Sequence, residues 1–102
     1  MKRTVVRYRM KPETAEENER LIREVFQELR EKSPEGVRYL ALQLSDTTFI
    51  QFSVVETKDG ANSIPQLEAF RSFQRGIKER CVELPQSGAA TVVGNYRMLG
   101  ES

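Results

Sequence analysis

Histidine handles most proton transfer near neutral pH, and this chain of 102 residues contains none. A general base would have to be a carboxylate held above its ordinary range, a lysine or cysteine held below it, or a tyrosine. Tyr8 and Tyr96 are the tyrosines of interest, because the strands expected to carry them bring both toward Phe70 and Phe73 of a helix. Four aromatic side chains converging there would either fill the core or wall a pocket for a small apolar or aromatic molecule. The one cysteine, Cys81, falls on the apolar stripe expected for that helix and reads as a small buried hydrophobe rather than a nucleophile. With no second thiol and no histidine, a Cys/His zinc site is impossible, and no other metal or cofactor motif stands in the sequence. Arg7, Arg9 and Arg97 could form an anion site if the first and last strands are neighbours, as this order usually has them, but they read better as solvated or paired with acids of a second subunit.

The elements that must position these residues follow from periodicity and punctuation. Residues 4–10, "TVVRYRM", are β-branched and aromatic, and Pro12 closes the strand. Thr14 stands three residues before Glu17, the spacing of a capping box, and predicts a helix from Thr14 with Leu21, Ile22, Val25, Phe26 and Leu29 on its apolar stripe. Glu16 with Arg20, Glu19 with Arg23 and Glu28 with Lys32 are opposite charges four apart, as on a solvated helix face, and "SPEG" ends the helix. Residues 37–45 and 48–56 read as a hairpin. A second capping box, Ser63 with Gln66, opens a second helix whose stripe is Leu67, Phe70, Phe73, Ile77 and Cys81, ended by Pro85 and Gly88. "AATVVGNYRML", from about Ala89 to Leu99, is the expected last strand.

Strand, helix, strand, strand, helix, strand is the ferredoxin-like βαββαβ order of an α+β domain: a four-stranded antiparallel sheet with two helices on one face, over residues 1–102 as one domain. Alternation in the hairpin separates Leu40, Leu42, Leu44, Ile50, Phe52 and Val54 from the opposite row. The aliphatic row is expected beneath the helices. The other row, which includes Tyr39, Gln43, Phe49, Gln51 and Ser53, is then the exposed face, too apolar for open water. Covering it with a second copy predicts a homodimer with those five residues at a two-fold interface.

Sixteen basic against fifteen acidic residues leave a net charge of +1, so no long-range field draws phosphate backbones or acidic membranes. The RNA-stacking pattern of a recognition domain is missing from "TFIQFSVV", and nucleic acid is not an expected partner. No stretch is long and apolar enough for a membrane span, no apolar segment follows "MKRTVVRYRM" as in a signal peptide, and a lone thiol suits a reducing compartment. The expected location is the cytoplasm.

"VVRYRMKPE" before a charged helix, the "FRSF" segment at 70–73 and the β-rich terminus resemble the antibiotic biosynthesis monooxygenase superfamily of dimeric α/β barrels, across nearly the whole chain. "DGANSIPQLEAFRSFQRGIKERC" and "ATVVGNY" are similar to a group of small bacterial proteins within it. The resemblance implies a dimeric barrel and a ligand between sheet and helices. It also implies two known activities: cofactor-free oxidation of aromatic quinol-type substrates, and haem degradation through an Asn, a Trp and a His. Val5 and Gln74 stand where the haem enzymes' Asn and His would fall, so Gln74 joins Tyr8, Phe70, Phe73 and Tyr96 as a pocket candidate while haem chemistry is disfavoured. Three functions stay open: a dimer binding a small aromatic molecule without cofactor, a cofactor-independent monooxygenase, and a non-catalytic structural or regulatory dimer.

Overall fold

β1 (Lys2–Met10), with β-branched residues in its first half and long side chains in its second, is one of the two inner strands of the sheet. In the computed structural model, which describes residues 1–100, β1 is followed by α1 (Ala15–Lys32), β2 (Val37–Gln43), β3 (Thr48–Val55), α2 (Glu68–Gln74), α3 (Ile77–Arg80) and β4 (Cys81–Ala89). All neighbouring strands are antiparallel, in the order β2-β3-β1-β4. The expected ferredoxin-like α+β architecture is present, with the helices on one face of the sheet.

A single turn of 3₁₀ helix over Pro12–Thr14 leads into α1, which buries Leu21, Ile22 and Val25 as the stripe requires. The capping box does not form. Thr14 Oγ1 instead donates to the carbonyl of Arg80 at 2.9 Å, tying the start of α1 to the end of α3. On the wet side Glu19–Arg23 and Glu28–Lys32 pair as expected, whereas Arg20 turns to Glu24 at 2.7 Å rather than to Glu16. Gly36, at φ +73°, lets the chain re-enter the sheet where a Cβ would stand 2.6 Å from the Glu56 carbonyl oxygen.

The second half departs from expectation. The helix expected from Ser63 to Cys81 is a 3₁₀ turn over Ile64–Gln66, then α2, then a break at Gly76 in the left-handed region and the four residues of α3. Two side chains set these ends from a distance. The Glu28 carboxylate accepts the N–H groups of Glu68 and Ala69, serving as a cap borrowed from α1. The Arg80 guanidinium donates to the carbonyls of Phe73 and Arg75, satisfying the last turn of α2. Cys81 therefore begins β4 instead of ending a helix, and Pro85, expected as a helix stop, sits on an edge strand, where its missing N–H is tolerated. The last strand is Cys81–Ala89, not Ala89–Leu99.

The two faces of the hairpin are also reversed. Register pairs Tyr8 with Phe49 and Val6 with Gln51, so the even residues of β1 share a face with the odd residues of β2 and β3. That face lies under the helices. Tyr8 stacks on Phe49 with ring centroids 5.5 Å apart and leans on Phe73, while Phe26 of α1 stacks on Tyr39 at 5.3 Å. Leu40 and Leu42, 42% and 48% exposed, point the other way. Residues 90–99 cross the open face in irregular conformation: Ala90 donates to the Arg3 carbonyl, Arg38 donates to the Leu99 carbonyl, and Met98 and Leu99 border a recess with Leu40, Phe52 and Val54.

Candidate functional site

Between the sheet and the 3₁₀ turn ahead of α2 lies a cavity of about 290 Å³. β1 supplies Thr4 and Val6, and β2 supplies Tyr39. β3 contributes Gln51, Ser53 and Val55, while Ile64, Pro65 and the ring of Phe70 form the helical wall. Lys2 and Asn62 stand among the lining groups as well. Alternation explains why these strand residues meet: Thr4 pairs with Ser53, Val6 with Gln51, and Tyr39 with Ser53, all on the face under the helices.

The polar centre of the cavity is the Tyr39–Gln51 pair. Gln51 Nε2 donates to the Tyr39 hydroxyl oxygen, and the ring is held from behind by its stack on Phe26. Burial pushes the phenol up to about 12, against the smaller opposing effect of the Gln51 hydrogen bond. At neutral pH Tyr39 is therefore a neutral phenol whose oxygen already accepts a hydrogen bond and whose proton remains to be given. Such a group serves as a hydrogen-bond donor to a ligand oxygen and not as a base. Among the described residues no carboxylate lines this cavity.

Of the residues expected to form the pocket, Tyr8, Phe73 and Phe70 meet ring to ring as part of the core, and Gln74 and Tyr96 do not join them. Phe70 borders the cavity; Phe73 and Tyr8 are fully packed in the core; Gln74 is exposed at the end of α2; and Tyr96, 78% exposed, lies on the segment crossing the open face. Tyr8 is held protonated by burial and accepts from Asn18 Nδ2 at 3.0 Å, inside the core. The interface expectation is corrected too. Tyr39, Gln51 and Ser53 line the cavity, Phe49 is buried under Tyr8, and Gln43 borders a second groove between α1 and β2. Signals for this candidate site were present in Tyr39 and Gln51, a phenol and an amide in cross-strand positions, but the parity of the register hid them. Arg7 and Arg9 both reach Glu83, at 3.8 and 3.7 Å, while Arg97 lies over the Tyr96 ring, so the three do not form an anion site. Burial raises the Cys81 thiol, which suits the inert reading. Among the described residues no cluster of His, Cys, Asp and Glu could hold a metal ion, and no helix is long and apolar enough to cross a membrane.

With this geometry in hand, the chain can be set beside known proteins. No protein-family profile and no curated protein sequence matches it. Solved structures do. A Bacteroides thetaiotaomicron protein assigned to the antibiotic biosynthesis monooxygenases superposes with a TM-score of 0.74 at 16% identity, over 90% of this chain and 89% of that one. The fold is that of the antibiotic biosynthesis monooxygenases. Proteins so assigned from Nitrosomonas europaea (TM-score 0.72, 15% identity, 89% of this chain and 88% of that one) and Caulobacter crescentus (0.71, 13%, 90% and 89%) agree. At these identities the likeness establishes the monooxygenase-like fold, and the chemistry must be argued from this chain's own side chains.

Proposed function

We propose that the protein binds a small planar aromatic molecule carrying a carbonyl or hydroxyl oxygen, in the cavity between sheet and helices. One observation carries this reading: the neutral Tyr39 phenol, oriented by Gln51 and Phe26, has a proton left to donate into a recess of about 290 Å³ walled by Phe70, Val6 and Ile64. Ligand sites commonly combine an apolar wall with a few converging polar groups, at volumes from about 300 Å³ upward. The homodimer belongs to the same reading, with its interface on the aliphatic open face of Val5, Leu40, Leu42 and Phe52. A buried lone thiol fits a reducing compartment such as the cytoplasm.

A thermal-shift series with naphthoquinones and flavonoid-like phenols tests the binding reading. Stabilisation that grows with ligand concentration and is lost in Phe70→Trp, which fills the recess, is the expected result. Equal stabilisation of the Trp variant moves the ligand elsewhere, and the lack of any shift across the series removes the reading.

The fold comparison favours a second reading, cofactor-independent oxidation of a quinol-type substrate. The cavity constrains how that would work. Without a carboxylate or histidine to remove a proton, the substrate would have to enter as its own anion, with the Lys2 ammonium nearby and Tyr39 donating to its oxygen. Oxygen uptake above spontaneous autoxidation, rising with the substrate's own ionisation, would support it.

A further inference from the structure

The amide of Gln51 has two ends, and only one of them is used. Gln51 sits in the middle of β3, is 5% exposed, and lines the recess beside Phe70. Its Nε2 is committed to the Tyr39 hydroxyl oxygen. Its Oε1 takes no hydrogen bond among the described residues, nor is it one of the side-chain atoms closed off without a partner, as Asn18 Oδ1, Thr48 Oγ1 and Arg80 Nε are. An acceptor that is neither bonded nor sealed opens onto the space its residue lines, which is the recess. A buried amide oxygen in that position wants a donor.

The other polar groups of the recess do not compete for this role. Asn62 Oδ1 already accepts from the Ile64 N–H at 3.0 Å. The hydroxyls of Thr4 and Ser53, cross-strand partners, rotate to serve as donor or acceptor and so select for neither. What remains is an ordered pair: the Tyr39 hydroxyl proton, a donor, beside Gln51 Oε1, an acceptor. Their order is fixed, because Gln51 faces Ala41 across the ladder, one diagonal step from Tyr39, and the Tyr39 ring is held by its stack on Phe26. A matching ligand carries an acceptor and a donor on one edge. A ring carbonyl with a neighbouring hydroxyl is a poor match, since that hydroxyl gives its proton to its own carbonyl. A lactam is a good one: its N–H and C=O lie side by side in the ring plane and cannot bond to each other.

We propose that Gln51 sets the class of ligand: the recess takes planar heteroaromatic lactams, whose ring N–H donates to Gln51 Oε1 while the adjacent carbonyl accepts from the Tyr39 hydroxyl. This rests on the binding reading above and narrows it to one chemistry. The recess of about 290 Å³ suits a two-ring lactam, with Phe70, Val6 and Ile64 against its apolar surface. A lactone of the same outline puts a ring oxygen where the N–H should be and sets acceptor against acceptor at Gln51. A site built to bond a ligand N–H rejects the analogue that lacks it, because its own polar atom is then left without a partner.

Titration calorimetry with 2-quinolone and coumarin, which share an outline and differ by an N–H against a ring oxygen, tests this on the unmodified protein. The expected result is 2-quinolone bound about tenfold or more tighter than coumarin. Phe70→Trp, with the recess filled, should bind neither. Gln51→Met, a side chain of similar length without the acceptor, should bring the two affinities together while circular dichroism stays that of the unmodified protein; if that variant does not fold, the ligand pair on the unmodified protein and on Phe70→Trp still decides. Equal affinities in the unmodified protein overturn the lactam assignment, and stabilisation by 1,4-naphthoquinone in the same protein then leaves the broader binding reading standing. A preference for 2-quinolone that persists in folded Gln51→Met or in Phe70→Trp overturns the role of Gln51. No binding of 2-quinolone, coumarin or 1,4-naphthoquinone overturns this inference and the binding reading together.

Discussion

The two faces of this sheet differ in a way opposite to ordinary expectation: the face with more aliphatic side chains is the open one. Under the helices lie Tyr8, Tyr39, Phe49 and Gln51, an aromatic and amide surface whose polar atoms find partners in Asn18 and in each other. On the open side stand Leu40, Leu42, Ile50 and Phe52. Hydrophobicity alone ranks the second face as core. What decides is geometry: flat rings stack with α1 and α2, with Phe26 on Tyr39 and Phe73 against Tyr8, and leave a recess at Tyr39. An aliphatic row free of special geometry is the surface that the proposed homodimer would cover.

The sharpest break of this comparison is a pair of truncations. Phe49→Ala removes a fully buried ring stacked on Tyr8 and should cost about 3–5 kcal/mol in denaturant unfolding. Leu42→Ala on the other face, in protein dilute enough to be monomeric, should cost well under about 1 kcal/mol. Equal costs would mean that the faces are not distinguished. Next in size is association. Phe52→Glu places a carboxylate amid the open face and should return the mass in light scattering to the 11.7 kDa of one chain, with the monomer's unfolding curve little changed. A dimer that survives this substitution would put the interface elsewhere.

How much of this was legible beforehand divides along the chain. β1, α1, β2 and β3 were readable to within about two residues because each carries its own periodicity and stop signals. The second half was not. The stripe Leu67, Phe70, Phe73, Ile77 and Cys81 has helical spacing, yet Gly76 and the reach of Arg80 to the Phe73 carbonyl end the helix early, and that hydrogen bond is a tertiary fact. Moving Cys81 into β4 shifts the last strand forward and releases residues 90–99 from the sheet. The candidate site was hidden for a related reason. Alternation sorts residues into two faces, but only the register, in which even Tyr8 meets odd Phe49, says which face of the hairpin joins which face of β1.

A smaller effect probes the helix that roofs the helical side. Glu28 lies below its ordinary value of 4.5 because Lys32 and the N–H groups of Ala69 and Glu68 hydrogen-bond to the charged form. A depressed folded value means stability that is present above 4.5 and lost as pH falls through the folded value. Glu28→Gln should therefore lower Tm at pH 7 and flatten the part of the acid-side decline that Glu28 causes, while α1 keeps its helicity in circular dichroism. Identical acid profiles for the two proteins would show that the cap between α1 and α2 contributes nothing.

Another small expected change in stability, and the one closest to function, is Tyr39→Phe. The ring keeps its stack on Phe26, and Gln51, facing a recess roomy enough for water, keeps a hydrogen-bond partner, so unfolding should change by about 1 kcal/mol or less. Ligand affinity should fall far more than stability, by about five- to tenfold if one neutral hydrogen bond to the ligand oxygen is lost. The pH dependence of the unmodified protein carries the same signature. Because the folded phenol lies near 12, above its ordinary 10.0, the neutral form is favoured in the folded state. Its contribution is complete below pH 10 and is lost as pH rises through 12, where phenolate must form in a desolvated site. Tyr39→Phe should reduce that alkaline loss, and a bound quinone should delay phenolate absorbance further by holding the proton between two oxygens. If Tyr39→Phe binds the same ligands with undiminished affinity, the donor role of Tyr39 is wrong, and the apolar wall around Phe70 must hold the ligand without it.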